Sequence, residues 1–138
     1  MLQSAQLWAS NRYHWADTAQ ALAELRQHLA ALAPMPVTVI TGSSMGAALA
    51  VRAALSGTVA VNRFFTVMPA IRPERVKPLH TNTDRHLRGY VVICDLASLS
   101  QPVLEWVTTL QQASIPCEIE VRRGVSHDYP PDFTGTLQ

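Results

Sequence analysis

The stretch that most restricts the fold of this 138-residue chain runs from Val37 to Gly57. Val37-Thr38-Val39-Ile40-Thr41 is short, β-branched and apolar, which is the composition of a strand buried on both faces. Gly42-Ser43-Ser44-Met45-Gly46 then turns the chain, and the alanine-rich run from Ala47 to Leu55 is expected to form a helix closed by Gly57. Its small side chains would let that helix lie close to a sheet.

The flanking sequence extends this unit in both directions. Asp17 with Gln20 three residues later forms a capping-box pattern, and Leu22, Leu25, Leu29 and Leu32 recur at helical spacing until Pro34 and Pro36 end the helix. Val59 to Val67 is expected to be a second strand, Tyr90 to Cys94 a third and Cys117 to Val121 a fourth. Between the last two, Ser100 is placed to cap a helix with Pro102 in its first turn and Val103, Val107 and Leu110 on one face. Met68 to Arg88, with three prolines, is a long loop, and long loops in compact domains are often functional. Residues 1–15 are aromatic through Trp8, Tyr13 and Trp15, as suits packing over the domain rather than a solvated tail. Strands alternating with helices predict a single α/β domain over residues 1–138, with a small, mostly parallel sheet of about four strands and helices on both faces.

Composition narrows the partners. Charged residues make up 15% of the chain and apolar ones 48%. The usual charged share is about 25%, so much of this chain expects burial, in its own core or against a partner. The net charge is +1 with basic residues scattered, and Arg122-Arg123 is too short to be a phosphate-tracking patch, which argues against nucleic acid. Cys94 and Cys117 lie in apolar runs without metal-ligand or disulfide spacing and are expected to be buried thiols. Neither a signal-peptide pattern nor an apolar run of the roughly 18 residues that a membrane helix needs is found. The expectation is a soluble cytoplasmic protein with no membrane partner, no metal and no cofactor.

The chemistry is concentrated in Gly42-x-Ser44-x-Gly46. By composition the bare G-x-S-x-G pattern occurs in roughly one chain of this length in twenty. The setting, directly between a buried strand and a helix, carries more weight. A sharp turn there strains the serine backbone, and glycines avoid clashes between strand and helix. The helix N-terminus offers backbone N–H groups and a favourable dipole to a developing oxyanion, with the N–H of Met45 as one donor. The competing readings are a plain strand-to-helix turn and a phosphate-binding turn. The latter lacks both the G-x-G-x-x-G spacing and the P-loop lysine.

A serine nucleophile needs a base. Of the five histidines, His28 belongs to a helix surface, His14 precedes that helix, and His80 and His86 sit in the long loop. His127 follows the last strand, and in a parallel sheet that end shares an edge with the turn at Ser44. His127 is therefore the candidate base. For the acid that orients the base, Asp95 closes the third strand on the same edge, Asp128 is adjacent to His127 and faces elsewhere, and Asp84 lies in the loop.

With these residues in place the chain resembles the α/β-hydrolases, in particular the esterase branch of dienelactone hydrolases and the phospholipase/carboxylesterase group. VTVITGSSMGAALAVRAAL resembles the nucleophile elbow with its strand and helix. GYVVICDLASLSQPVLEWVTTLQQASIPCEIEV resembles the acid-bearing strand, its helix and the last strand, and RRGVSHDYPPDF the histidine loop. The resemblance runs from about residue 17 onward and implies Ser44 as nucleophile, His127 as general base, the Met45 N–H at the oxyanion, Gly42 and Gly46 as elbow glycines, and an acyl-enzyme mechanism on an ester substrate. The family's acid follows a glycine by a few residues. Here Asp95-Leu96-Ala97-Ser98 puts aspartate in the glycine's place and serine near the acid's, so that Asp95 substitutes or the acid is absent.

The resemblance also implies several strands ahead of the elbow, where this chain has one helix and an aromatic stretch. The sheet edge so uncovered is expected to be capped by the N-terminal stretch, by a lost domain or by a second copy of the chain as a homodimer. Two functions stand. One is a serine esterase acting on carboxylic ester or thioester bonds. The other is a catalytically degenerate hydrolase-fold module for binding or assembly.

Overall fold

The computed structural model describes residues 7–9, 12–13, 15, 17–32, 36–71 and 86–127. In chain order the elements are β1 (Leu7–Ala9), β2 (Arg12–Tyr13), α1 (Thr18–Ala31), β3 (Val39–Ser43), α2 (Ser44–Ser56), β4 (Arg63–Val67), β5 (Arg88–Cys94), α3 (Ser100–Gln112) and β6 (Cys117–Arg122). β1 and β2 form a short antiparallel pair within the aromatic stretch. The other strands form one parallel sheet in the order β3-β4-β5-β6.

Local chemistry accounts for most boundaries. The Asp17 carboxylate accepts from the Gln20 backbone N–H at 3.0 Å and starts α1. α2 ends at Gly57 in the left-handed region, φ 72°. β3 starts at Val39 rather than Val37 and runs through Gly42 to Ser43, straight into the helix. β4 is shorter than the run from Val59 suggests. The Val59 N–H bonds to Ala53 O and the Val61 N–H to Val59 O, so these donors are satisfied locally and not in a ladder. β5 begins at Arg88, whose N–H donates to Asn62 O and opens the pairing with β4. Ser100 does not cap α3 as expected. Its hydroxyl donates to Cys94 O at 2.5 Å and to Ala97 O at 2.7 Å, tying the helix start to the end of β5.

The register sets Ile40, Phe64, Gly89 and Cys117 in one row, with Gly42, Thr66, Val91 and Ile119 in the next row of the same face. That face carries the main core, where Phe64, Val91 and Ile93 meet Leu25 of α1, Val51 and Leu55 of α2, and Val103, Trp106 and Leu110 of α3. Trp106 is fully buried and tilted against Phe64 at 6.3 Å. The alternate rows form a smaller cluster of Val67, Met68, Val92 and Cys94 with Phe65, Tyr90, Ala97 and Val125, to which none of the described helices contributes.

The α/β class and the parallel four-stranded sheet are those expected, but the helices are placed differently. The described ones pack on one face rather than on both. The strand order advances in a single direction, and right-handed crossovers made in one direction leave their helices on one side of the sheet. Both cysteines are buried, and neither is part of a disulfide. Burial, and then Glu118, pushes the Cys117 thiol up to about 12. Among the described residues no helix is long and apolar enough to cross a membrane.

Candidate active site

Ser44 is the first residue of α2 and has φ 51°, a left-handed conformation that a side chain rarely adopts. Gly42 shows why the turn tolerates only glycine at that position. A Cβ there would sit 2.5 Å from the Gly46 carbonyl carbon and oxygen and 2.6 Å from the Ala47 nitrogen, all of them backbone. Strand and helix cross too closely for a side chain, and this crossing drives Ser44 out of the ordinary backbone regions. Trp15 lies beside the turn, with its Nε1 3.9 Å from where a Cβ of Gly46 would be.

A second turn braces the first. After β4, Met68 also has a left-handed backbone, φ 46°, and its N–H donates to Val92 O at 2.8 Å. Two residues on, the Ala70 N–H donates to the carbonyl of Ser44 itself at 2.9 Å. The peptide of the strained serine is thus held from the neighbouring strand. Sequence reasoning missed Met68 and Ala70, because a left-handed methionine has no compositional signature.

Ser44 is half-buried, and its Oγ lies 3.0 Å from His127 Nε2. β6 ends at Arg122, and the chain turns at Gly124, φ 72°, to bring His127 back over the elbow. With Nδ1 protonated, Nε2 accepts the serine hydroxyl proton. His127 is the only described histidine brought to Ser44. His28 is exposed on α1 and His86 is exposed ahead of β5, while His14 and His80 lie outside the described residues, as do Asp84 and Asp128. Met45 is in the first turn of α2, where N–H groups have no intrahelical carbonyl to bond. Its N–H is therefore one of the end-of-helix donors beside Ser44.

Asp95 stands on the same edge but is engaged differently. Its carboxylate Oδ1 accepts the Gly124 N–H at 2.8 Å. Among the described residues no hydrogen bond or ion pair joins Asp95 to His127. Beside His127 a mostly apolar cleft is lined by Met68, Pro69, Ala97, Leu99 and Val103. No group of three or more His, Cys, Asp or Glu that could hold a metal occurs among the described residues.

Solved structures share this arrangement of elements. An uncharacterized protein from Bacillus cereus ATCC 10987 superimposes with TM-score 0.89 at 27% identity, over 99% of this chain and 46% of that one. MGS-M1, an α/β-hydrolase enzyme from a Medee basin deep-sea metagenome library, gives TM-score 0.59 at 25% identity, over 79% of this chain and 48% of that one. FphF, a fluorophosphonate-binding serine hydrolase of Staphylococcus aureus, gives TM-score 0.61 at 13% identity, over 86% and 60%. The chain has the α/β-hydrolase fold. It spans about half the length of the Bacillus cereus protein and of MGS-M1. No family model matches the sequence, and no curated protein matches it. Within that fold, β3 and α2 meet at Ser44 and the turn after β6 carries His127.

Proposed function

We propose that the protein is a serine hydrolase that cleaves carboxylic ester or thioester bonds through an acyl-enzyme. The observation that carries this reading is the 3.0 Å contact between His127 Nε2 and Ser44 Oγ, made by a serine held at φ 51° on a helix N-terminus. Ser44 Oγ attacks the carbonyl carbon while its proton passes to Nε2. The negative charge that develops on the carbonyl oxygen is stabilised by the Met45 N–H and the α2 dipole. Collapse of the tetrahedral species breaks the bond to the alcohol or thiol, which leaves with the proton from His127. Water then attacks the acyl-enzyme by the same route in reverse, with His127 as base, and releases the acid.

The test is covalent labelling by a fluorophosphonate probe. The wild type should label. Ser44→Ala should abolish labelling, and His127→Ala should slow it by about 10²-fold or more. Labelling that persists in Ser44→Ala would remove the proposal. The engagement of the Asp95 carboxylate by Gly124 favours one other reading, a hydrolase-fold module that binds without turnover. A well-folded wild type that resists the probe would be the result expected of that module.

A further inference from the structure

The Asp95 carboxylate lies on the edge that carries the site, yet it touches a backbone amide and not the imidazole. Three hydrogen bonds join the turn after β5 to the turn after β6. The Asp95 N–H donates to Arg122 O at 3.1 Å, the Leu96 N–H donates to Val125 O at 3.2 Å, and the Gly124 N–H donates to Asp95 Oδ1 at 2.8 Å. The third is the only one of them made by a side chain. It fastens the loop at Gly124, where the backbone takes its left-handed step, φ 72°, and where nothing lies within 4 Å of a Cβ position. Among the described residues the Asp95 carboxylate is the side chain that holds the backbone at Gly124, one residue ahead of Val125, which packs against the smaller cluster.

From Gly124 to His127 is three residues. Each residue of extended chain spans about 3.3–3.6 Å, and Val125 between them is held by the Leu96 N–H and the smaller cluster, so the backbone turn at Gly124 sets the direction in which the chain passes Val125 and aims the imidazole at Ser44, 3.0 Å away. We infer that Asp95 is a positioning residue for His127, acting through the backbone of the loop that presents the histidine and not as an acid bonded to the imidazole. This inference rests on the proposed role of His127 as base. What the position requires is an acceptor oxygen, not a charge. An amide oxygen accepts the same N–H, so asparagine should serve where alanine cannot. An acid that orients a catalytic histidine behaves in the opposite way. There the amide substitution imposes the wrong tautomer and costs about 10⁴-fold.

The experiment compares wild type, Asp95→Asn and Asp95→Ala in the full chain by fluorophosphonate labelling across pH. In parallel, NMR follows Gly124 amide exchange and the contact between the His127 ring and the Ser44 β-protons. Asp95→Asn should label within about threefold of wild type, with an overlapping pH profile. Asp95→Ala should label roughly tenfold more slowly, exchange the Gly124 amide faster and lose the ring contact. The inference is overturned if Asp95→Asn loses labelling as severely as Asp95→Ala, or if its pH profile departs from that of wild type. It is also overturned if Asp95→Ala keeps a slowly exchanging Gly124 amide and the ring contact. Should Asp95→Ala fail to fold, Asp95→Asn decides alone. If the wild type resists the probe, the hydrolase proposal fails, while amide exchange and the ring contact still decide what Asp95 holds.

Discussion

The two halves of the site are built in opposite ways. At the elbow, backbone meets backbone. Gly42 lies so close to Gly46 and Ala47 that a methyl group would overlap them, and Ser44 is left-handed as a result. At the histidine loop, Asp95, Arg123, Gly124, Ser126 and His127 are all exposed, and a few hydrogen bonds set the path of the chain. Ser44 is held by sterics that cannot relax without unmaking the strand-helix crossing. His127 is held by contacts that open locally at small cost. In such a site the serine stays in place, and geometry is lost first at the histidine.

Substitutions on either side can break or sharpen this contrast. Gly42→Ala should have the largest effect. The added methyl forces β3 from α2, misplaces Ser44 and lowers the labelling rate roughly a hundredfold or more. A rate near that of wild type would mean that the elbow is as yielding as the loop. Ala70→Pro comes next, because it removes the N–H that holds the Ser44 carbonyl, 2.9 Å away. Loss of one such bond, worth about 1 kcal/mol, predicts labelling slowed roughly fivefold, with Ala70→Ser as the variant that keeps the donor.

Gly124→Ala tests the loop. It has open space around the new Cβ but must adopt φ 72°. The left-handed strain of about 1–2 kcal/mol should appear as a few degrees of lowered melting temperature and a labelling rate reduced by less than in Gly42→Ala. The smallest effect is expected away from both regions, at Tyr90, whose hydroxyl donates to Glu120 at 2.7 Å while its ring stacks on Phe65. That hydrogen bond, followed by burial, raises the Tyr90 pKa above its ordinary value. A raised folded-state value means that this stabilisation is complete below pH 10 and is lost as pH climbs through the folded pKa. Tyr90→Phe should therefore cost about 1 kcal/mol at pH 8, and the gap to wild type should close above pH 10. Denaturant unfolding at the two pH values measures it, and labelling should be unaffected.

The elbow was legible in the sequence because its constraint is local. A β-branched strand, a G-x-S-x-G turn and an alanine-rich helix specify the crossing within about twenty residues, and only glycine fits at position 42. The position of His127 could be argued from strand order, since the ends of parallel strands share an edge. The partner of Asp95 could not be anticipated. Which amide meets a carboxylate depends on the path of a turn 29 residues away in the chain. The brace from Ala70 to Ser44 was hidden for the same reason, as two strands must be in register before that N–H and that carbonyl meet.

The sequence by itself determined the α/β alternation and the turn that strains Ser44, because hydrophobic periodicity and glycine sterics act over a few residues. The tertiary structure alone decided that the described helices share one face, that Ala70 secures the serine peptide and that Asp95 holds Gly124. Each of these depends on groups far apart in the chain, and hydrogen bonds between such groups exist only once the sheet has set their distance and direction.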